Sequence, residues 1–334
     1  EVAYQNALIY ALDRIQSAPI DAKKDAQGKS VAIISHPDVR RELLTIKANV
    51  ESERALAYWI SMQLDISHHH PDETARAEAK KFVDLLTPVI KAVCTDHAVD
   101  STNGAMQVFG GHGYIREHGM EQFNRDARIT RIYEGTNGIQ ALDLIGRKVM
   151  QQNLLPHYLK QVEADLKAAK PNGVSAEMID ATREAANMLR KVTRRLQWRA
   201  AAATVKNRVG LKGDLNGVLR DAAAMSTDYL KLTGLVAQGQ MWVKMADVAS
   251  QRLREPNVDN RDFYETKLLT AQFYFDKLMP QVHTLTRTMQ SGAKPLMSIA
   301  AEKFAHTQST VGEKSRPEAI QPVKSKRVAS FFGW

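Results

Sequence analysis

Two short segments carry residues whose types and spacing could do chemistry. The first is Gln107-Val108-Phe109-Gly110-Gly111-His112-Gly113-Tyr114. A glycine cluster behind a helical pattern lets a backbone approach a ligand closely, or simply allows the positive φ of a helix C-cap. No strand precedes it and no βαβ unit surrounds it, so it is not a dinucleotide-binding fingerprint. The second runs from Arg128 to Gln140 and contains Tyr133-Glu134-Gly135-Thr136-Asn137-Gly138. Thr136 is placed to cap the helix that follows, and Gly135 permits the turn before it. Glu134 is then held on a loop beside a helix N-terminus. Taken alone that is an ordinary structural arrangement, an acid near the positive end of a helix dipole. The same geometry also presents a carboxylate, an acceptor-only group suited to removing a proton.

Helical periodicity fills most of the remaining chain and must position these segments. It predicts an opening helix over 1–14, then a polar loop over roughly 16–35. Ser35-His36-Pro37-Asp38 starts a long helix reaching about Asp65, and further helical regions cover 72–91, 92–109 and 137–152. Only 29–34 and 128–133 hint at strands. Beyond Gln152 the pattern predicts helices at 157–170, 175–206, 216–253 and 260–290, with a short one near 295–305. Leu215, Val218, Leu219, Leu230, Leu232 and Leu235 read as bundle-packing residues. The fold expected is all-α: an antiparallel helical bundle over 1–150, a second helical domain over 151–305, and a basic, disordered tail over 306–334. The start, Glu1-Val2-Ala3-Tyr4, enters a helix without Met or N-cap and reads as a cut through a longer protein.

Composition narrows the class. The 334 residues are 44% hydrophobic and 25% charged, ordinary for a globular protein able to build a large core. A single cysteine, Cys94, excludes an intrachain disulfide and a Cys-based zinc site, and fits a reducing, cytoplasmic setting. The consecutive His68-His69-His70 diverge along any backbone and read as a loop rather than a metal site, so no metal is expected. No apolar run approaches the ~18–20 residues of a membrane span. A net charge of +9 is compatible with nucleic acid, anionic lipid or a phosphate-bearing ligand. No nucleic-acid motif accompanies the charge, and a solvated tail is favoured over membrane contact.

Taken together, Gln107 to Tyr114, Asn124-Arg125-Asp126-Ala127-Arg128 and Ile132 to Gln140 resemble the C-terminal signature of the FAD-dependent acyl-CoA dehydrogenases in order, spacing and identity. The resemblance extends more loosely to Tyr10-Ala11-Leu12-Asp13-Arg14 and His36 to Arg41, and so covers residues 1–150. Residues 151–305 resemble the C-terminal extension of a long bacterial branch of that family, which includes enzymes acting on 3-methylmercaptopropionyl-CoA. The resemblance implies α,β-dehydrogenation of an acyl-CoA to its trans-2-enoyl form, with Glu134 taking the α-proton and FAD the β-hydride. It implies that the Glu134 backbone N–H, with a flavin ribityl hydroxyl, helps polarise the thioester carbonyl. Tyr133 and Gly135 would border the thioester. Thr136 and Gly138 would face FAD, whereas Arg14, Gln107, Gly110 and Gly111 would reach FAD in a homodimer, the last three from the neighbouring subunit. Electron-transfer flavoprotein is the implied electron acceptor, and this chain alone is expected to be inactive. Where many members read Arg-x-x-Phe-Gly, this chain reads Arg14-Ile15-Gln16-Ser17-Ala18. The second reading is a non-catalytic helical module, serving assembly or membrane docking, with a relic loop. The intact Tyr133-Glu134-Gly135-Thr136 favours the enzyme.

Overall fold

The periodic segments are helices in a computed structural model that describes residues 1–19 and 29–304. The expected basic tail over 306–334 lies outside the described residues. The opening helix α1 (Val2–Asp13) is followed by α2 (Pro37–His69) and α3 (Glu73–Val108), which pair along most of their length. Two short helices, α4 (Gly111–Tyr114) and α5 (Met120–Ile129), lead to the Glu134 loop and then to α6 (Asn137–Asp143). The chain continues through α7 (Leu155–Ala169), α8 (Ala176–Arg208), α9 (Leu215–Arg252), α10 (Arg261–Phe273), α11 (Gln281–Met289) and α12 (Lys294–Met297).

Several boundaries differ from those the sequence predicts. Residues 72–91 and 92–109 form one helix, α3, which runs through Pro88. A proline inside a helix costs about 3 kcal/mol. Here Leu85, Leu86, Val89 and Ala92 around it are all fully buried, and their packing outweighs that cost. The long helix α2 passes Asp65 and reaches His69, so only His70 leaves it; the His70 Nδ1 accepts from the Asp72 N–H at 3.1 Å and helps start α3. The helix predicted over 260–290 is instead α10, a π-helical turn (Tyr274–Leu278) and α11, broken at Pro280. The end of the 137–152 helix is also π-helical, from Leu144 to Gln151. The strand hint at 128–133 is the end of α5 and a turn. That at 29–34 gives a single antiparallel bridge, Ile15 with Ala32, and a 3-10 turn (Ile33–Ser35).

The core is organised around α9. Residues Leu232 to Val243 are buried without interruption, so the middle of this helix is surrounded on all sides. Gly234 and Gly239 allow this. A Cβ on Gly234 would lie 2.5 Å from the Val93 Cγ2 of α3, and one on Gly239 would lie 2.4 Å from the Met279 Cε. Most of the polar side chains in this stretch are hydrogen-bonded, although the Trp242 Nε1 and the Gln238 Oε1 have no partner among the described residues. The Gln238 Nε2 donates to the Ser52 Oγ at 3.1 Å, while the Gln240 side chain accepts from the Tyr158 hydroxyl at 2.8 Å and donates to Asp165 at 2.6 Å. One apolar cluster therefore joins α2 and α3 to α7, α8, α9 and α11. A smaller one holds α1 against the start of α2 and the end of α3.

A half-buried ion pair between His97 of α3 and Glu53 of α2 adds a pH-sensitive link. Burial alone would lower the His97 pKa, but Glu53, with Asp100 and Asp96, raises it overall. A raised folded pKa means that this stabilisation is full below the unfolded value of about 6.5 and is lost as pH rises through the folded value. His97→Gln is expected to flatten the dependence of the denaturant midpoint on pH above about 6.5. An unchanged slope would reject the pair as its source.

Candidate functional site

The chain holds two clusters of the residues singled out above, one at each of two places along α3. The first lies at its C-terminal end. The Gln16 N–H donates to the Val31 carbonyl at 2.9 Å, and the Ile33 N–H donates to the Arg14 carbonyl at 2.8 Å, so the segment after α1 is pinned against residues 31–33. This brings Arg14, Gln107 and Gly110 to one cleft of about 260 Å3, whose walls include Tyr10, Ile33 and His36. Tyr10 stacks on Phe109 with centroids 4.1 Å apart, and its hydroxyl hydrogen-bonds the His112 Nδ1 at 2.8 Å. The Arg14 guanidinium has no hydrogen-bond or ionic partner among the described residues. Ser17, at the family's Phe position, adopts a φ of 63° beside it.

The glycines of this cluster serve different ends. Gly110 has a φ of 58° and a ψ of −138°, a conformation that side chains disfavour. A Cβ on Gly110 or Gly111 would meet nothing within 4 Å, so both present bare backbone to open space. Gly113, assigned no role from sequence, is the sterically constrained one: its Cβ would lie 2.3 Å from the Met106 carbonyl oxygen and 2.8 Å from the Phe109 Cβ. Gly113→Ala is expected to destabilise the protein by about 3 kcal/mol, at the upper end of overpacking costs. A thermal melt within a degree of wild type would show that the turn can move aside.

The second cluster is the loop between α5 and α6. The Tyr133 N–H donates to the Ile129 carbonyl at 3.2 Å and the Asn137 N–H to the Arg131 carbonyl at 3.2 Å, which closes the loop on itself. Glu134 and Gly135 follow with φ values of 54° and 82°. Such a conformation is uncommon for a residue with a side chain and stores strain where the surroundings impose it. Here they do. The Gln140 side chain donates to the Glu134 carbonyl at 3.1 Å, and the Thr136 hydroxyl caps α6 by accepting from the Ile139 N–H at 3.3 Å. Gly138 lies in the first turn of that helix.

The anchors come from α3, more than forty residues earlier in the chain. The Lys91 Nζ donates to the Gly135 carbonyl at 2.9 Å and to the Asn137 Oδ1 at 2.7 Å. The Asn137 Nδ2 donates in turn to Asp96 at 2.8 Å, and Asp96 pairs with Arg131 at 2.6 Å. Lys91, Asp96 and Arg131 hold the loop in place, and sequence reasoning gave none of them a role. The result is an exposed Glu134 carboxylate with no side-chain partner among the described residues, beside a Tyr133 that is 48% exposed. No hydrogen bond to the Glu134 N–H is present among the described residues either. The two clusters are not brought together: from Lys91 to Gln107 a helix rises roughly 24 Å.

The described residues contain no group of three metal-ligating side chains and no helix long and apolar enough to cross a membrane.

Comparison with known proteins assigns both parts of the chain. Residues 11–150 match the family described as acyl-CoA dehydrogenase, C-terminal domain, and residues 158–300 match the one described as acetyl-CoA dehydrogenase C-terminal like. The chain is 38% identical over 282 residues to the 3-methylmercaptopropionyl-CoA dehydrogenase of Ruegeria pomeroyi, aligning 84% of itself to 44% of that protein. It is 30% identical over 312 residues to the broad-specificity linear acyl-CoA dehydrogenase FadE5 of Mycobacterium tuberculosis, aligning 90% of itself to 48% of that protein. The chain thus spans less than half the length of these relatives. Among solved structures, an acyl-CoA dehydrogenase from Bacillus anthracis complexed with FAD superposes with a TM-score of 0.59 at 15% identity, covering 86% of this chain and 44% of that one. ACDH-11 of Caenorhabditis elegans in complex with C11-CoA superposes with a TM-score of 0.57 at 20% identity, covering 83% and 40%. At these identities the structures establish the fold, an all-helical one in the described residues.

Proposed function

Starting from a chain that belongs to the acyl-CoA dehydrogenase family, we propose that it is the C-terminal part of a FAD-dependent enzyme that oxidises an acyl-CoA thioester to the trans-2-enoyl-CoA. Residues 1–150 would be its helical-bundle domain and residues 151–305 the extension. The observation that carries this reading is the exposed Glu134, set at positive φ on a loop pinned by Lys91 and Asn137.

The residues present fit the cofactor the family uses. An unpaired Arg14 sharing one cleft with Gln107 and the bare backbone of Gly110, which Gly111 follows, suits the phosphates of a dinucleotide. Bound FAD supplies the acceptor for the β-hydride. This chain supplies the base and part of the walls. The Glu134 carboxylate takes the α-proton; the C–H electron pair becomes the new double bond as the β-hydrogen departs as hydride. The unpaired Glu134 N–H points to stabilisation of the charge that develops on the thioester oxygen. Tyr133 and Gly135 border that end of the substrate, and Thr136 and Gly138 the flavin side. Two FAD-facing clusters roughly 24 Å apart along one helix favour a homodimer, in which the Gln107 end serves the neighbouring subunit's cofactor. Electron-transfer flavoprotein would then reoxidise the enzyme, and the cytoplasm is the setting proposed.

Anaerobic titration of the full-length, FAD-loaded protein with acyl-CoAs of graded length, including 3-methylmercaptopropionyl-CoA, tests the reading. Bleaching of the oxidised flavin band by at least one of them is expected. A flavin that no acyl-CoA reduces would reject it.

A further inference from the structure

A cleft of about 660 Å3 opens between α8, α9 and α11, and no residue of the Glu134 loop or of the Arg14 cluster lines it. Its size is that of a small-molecule site. The floor is apolar and adaptable: Leu196, Met225 and Met289 are buried, and Met188 and Val192 are half-buried beside them. Methionines fill irregular space and recur at surfaces that accept varied apolar ligands.

The rim is cationic. Lys191, Arg195 and Arg199 follow one another at four-residue spacing along α8 and so stand in one row, and Lys294 lines the same cleft from α12. Arg199 is neutralised by Asp221 at 2.6 Å. The side chains of Lys191, Arg195 and Lys294 have no ionic or hydrogen-bond partner among the described residues. Three uncompensated positive charges therefore stand on the rim of one cavity with an apolar floor. A smaller lobe of about 310 Å3 shares Arg199, Asp221 and Lys294 with it and adds Arg220, Ser298 and Asp214, whose carboxylate accepts from the Gly217 N–H at 2.7 Å at the start of α9. A basic helix face is usually no more than a solvated surface. This one borders an apolar floor that no described residue covers, and like charges at four-residue spacing repel. An anion with a hydrocarbon tail would relieve the repulsion and cover the methionines together.

We infer that this cleft binds an amphiphile with an anionic head, a long hydrocarbon chain ending in a carboxylate or a phosphate monoester. The chain lies along Met188, Met225 and Met289. The head sits between the smaller lobe and the rim, within reach of Lys294, Arg195 and Arg220. The site is separate from the proposed acyl-CoA oxidation and stands or falls independently of it.

Photolabelling of the full-length protein tests the inference. The probes are a diazirine-bearing laurate and a diazirine-bearing dodecyl phosphate, with labelled peptides mapped by mass spectrometry. Label is expected in the segments 188–199 and 285–294, displaced by the unmodified amphiphile and not by the same concentration of inorganic phosphate. Whichever probe labels more strongly identifies the head group. Lys191→Glu combined with Arg195→Glu changes two exposed side chains, so the melting temperature should hold while labelling falls by about tenfold, the loss of one charge-assisted hydrogen bond. Label confined to other segments, the 128–140 loop included, would overturn the inference. So would labelling of the cleft that the charge reversal leaves unchanged.

Discussion

Replacing Glu134 by Gln in the full-length protein is expected to leave FAD bound and to lower the rate of flavin reduction by acyl-CoA about 10²–10⁴-fold, the usual worth of a positioned general base. The substitution is close to isosteric. It keeps a carbonyl oxygen in place and removes only the ability to hold the abstracted proton. The loop is fixed by contacts that do not involve this carboxylate: its backbone carbonyl is held by Gln140, and its neighbours by Lys91. The Arg14 cleft lies at the C-terminal end of α3, roughly 24 Å further along the helix than Lys91. A folding defect or loss of cofactor is therefore not expected to contribute, and retention of the flavin spectrum after gel filtration checks this directly. Substrate affinity should change little, because the effect falls on the step in which the proton moves. Reduction by the variant at a rate near wild type would remove Glu134 as the base.

How much of this was legible beforehand depended on the distance over which each feature is specified. Helices are local. Val39, Leu43, Ile46 and Val50 give α2 its face at three- and four-residue spacing, and the resulting all-α expectation agrees with the described residues. The Glu134 loop is local too, since Thr136 capping Ile139 and the turn at Gly135 are both encoded within a few residues. Boundaries were misread where packing overrode propensity. The sequence divides 72–91 from 92–109, whereas the burial of Leu85, Leu86, Val89 and Ala92 around that point holds one continuous helix, α3. The divide at Pro280 was missed for the opposite reason: the apolar spacing on both sides is continuous, and only the π-helical turn before it shows the change of course. Gly113 was hidden because the clash that forbids a side chain there involves a carbonyl seven residues earlier. The buried row around Gly234 and Gly239 was only half visible. Its leucines read as core, but the two glycines gain meaning only when Val93 and Met279 come to rest against them.

The largest omission from the sequence reading was Lys91, which carries the second large prediction. Between Ile90 and Ala92 it reads as one more solvated charge on a long helix. In the folded chain it is half-buried and makes two charge-assisted hydrogen bonds into the loop, to the Gly135 carbonyl and to the Asn137 Oδ1. Each such bond contributes about 1.5–3 kcal/mol. These bonds oppose the strain of successive positive φ values at Glu134 and Gly135. Lys91→Met keeps much of the side chain's length and apolar packing and removes both donors. The Gly135 carbonyl then loses its partner, and the loop can relax away from the geometry that presents the carboxylate. A misplacement on the order of 1 Å lowers catalysis about 10²-fold. The expected result is a 10- to 100-fold slower flavin reduction by acyl-CoA, within that bound, with FAD content unchanged and faster hydrogen exchange confined to the amides of 130–138. Exchange is the readout that separates a positioning role from a general loss of stability, which would instead raise exchange throughout α3 and α9. Reduction within twofold of wild type, with the loop amides as protected as before, would show that Asn137, Asp96 and Arg131 hold the loop without Lys91.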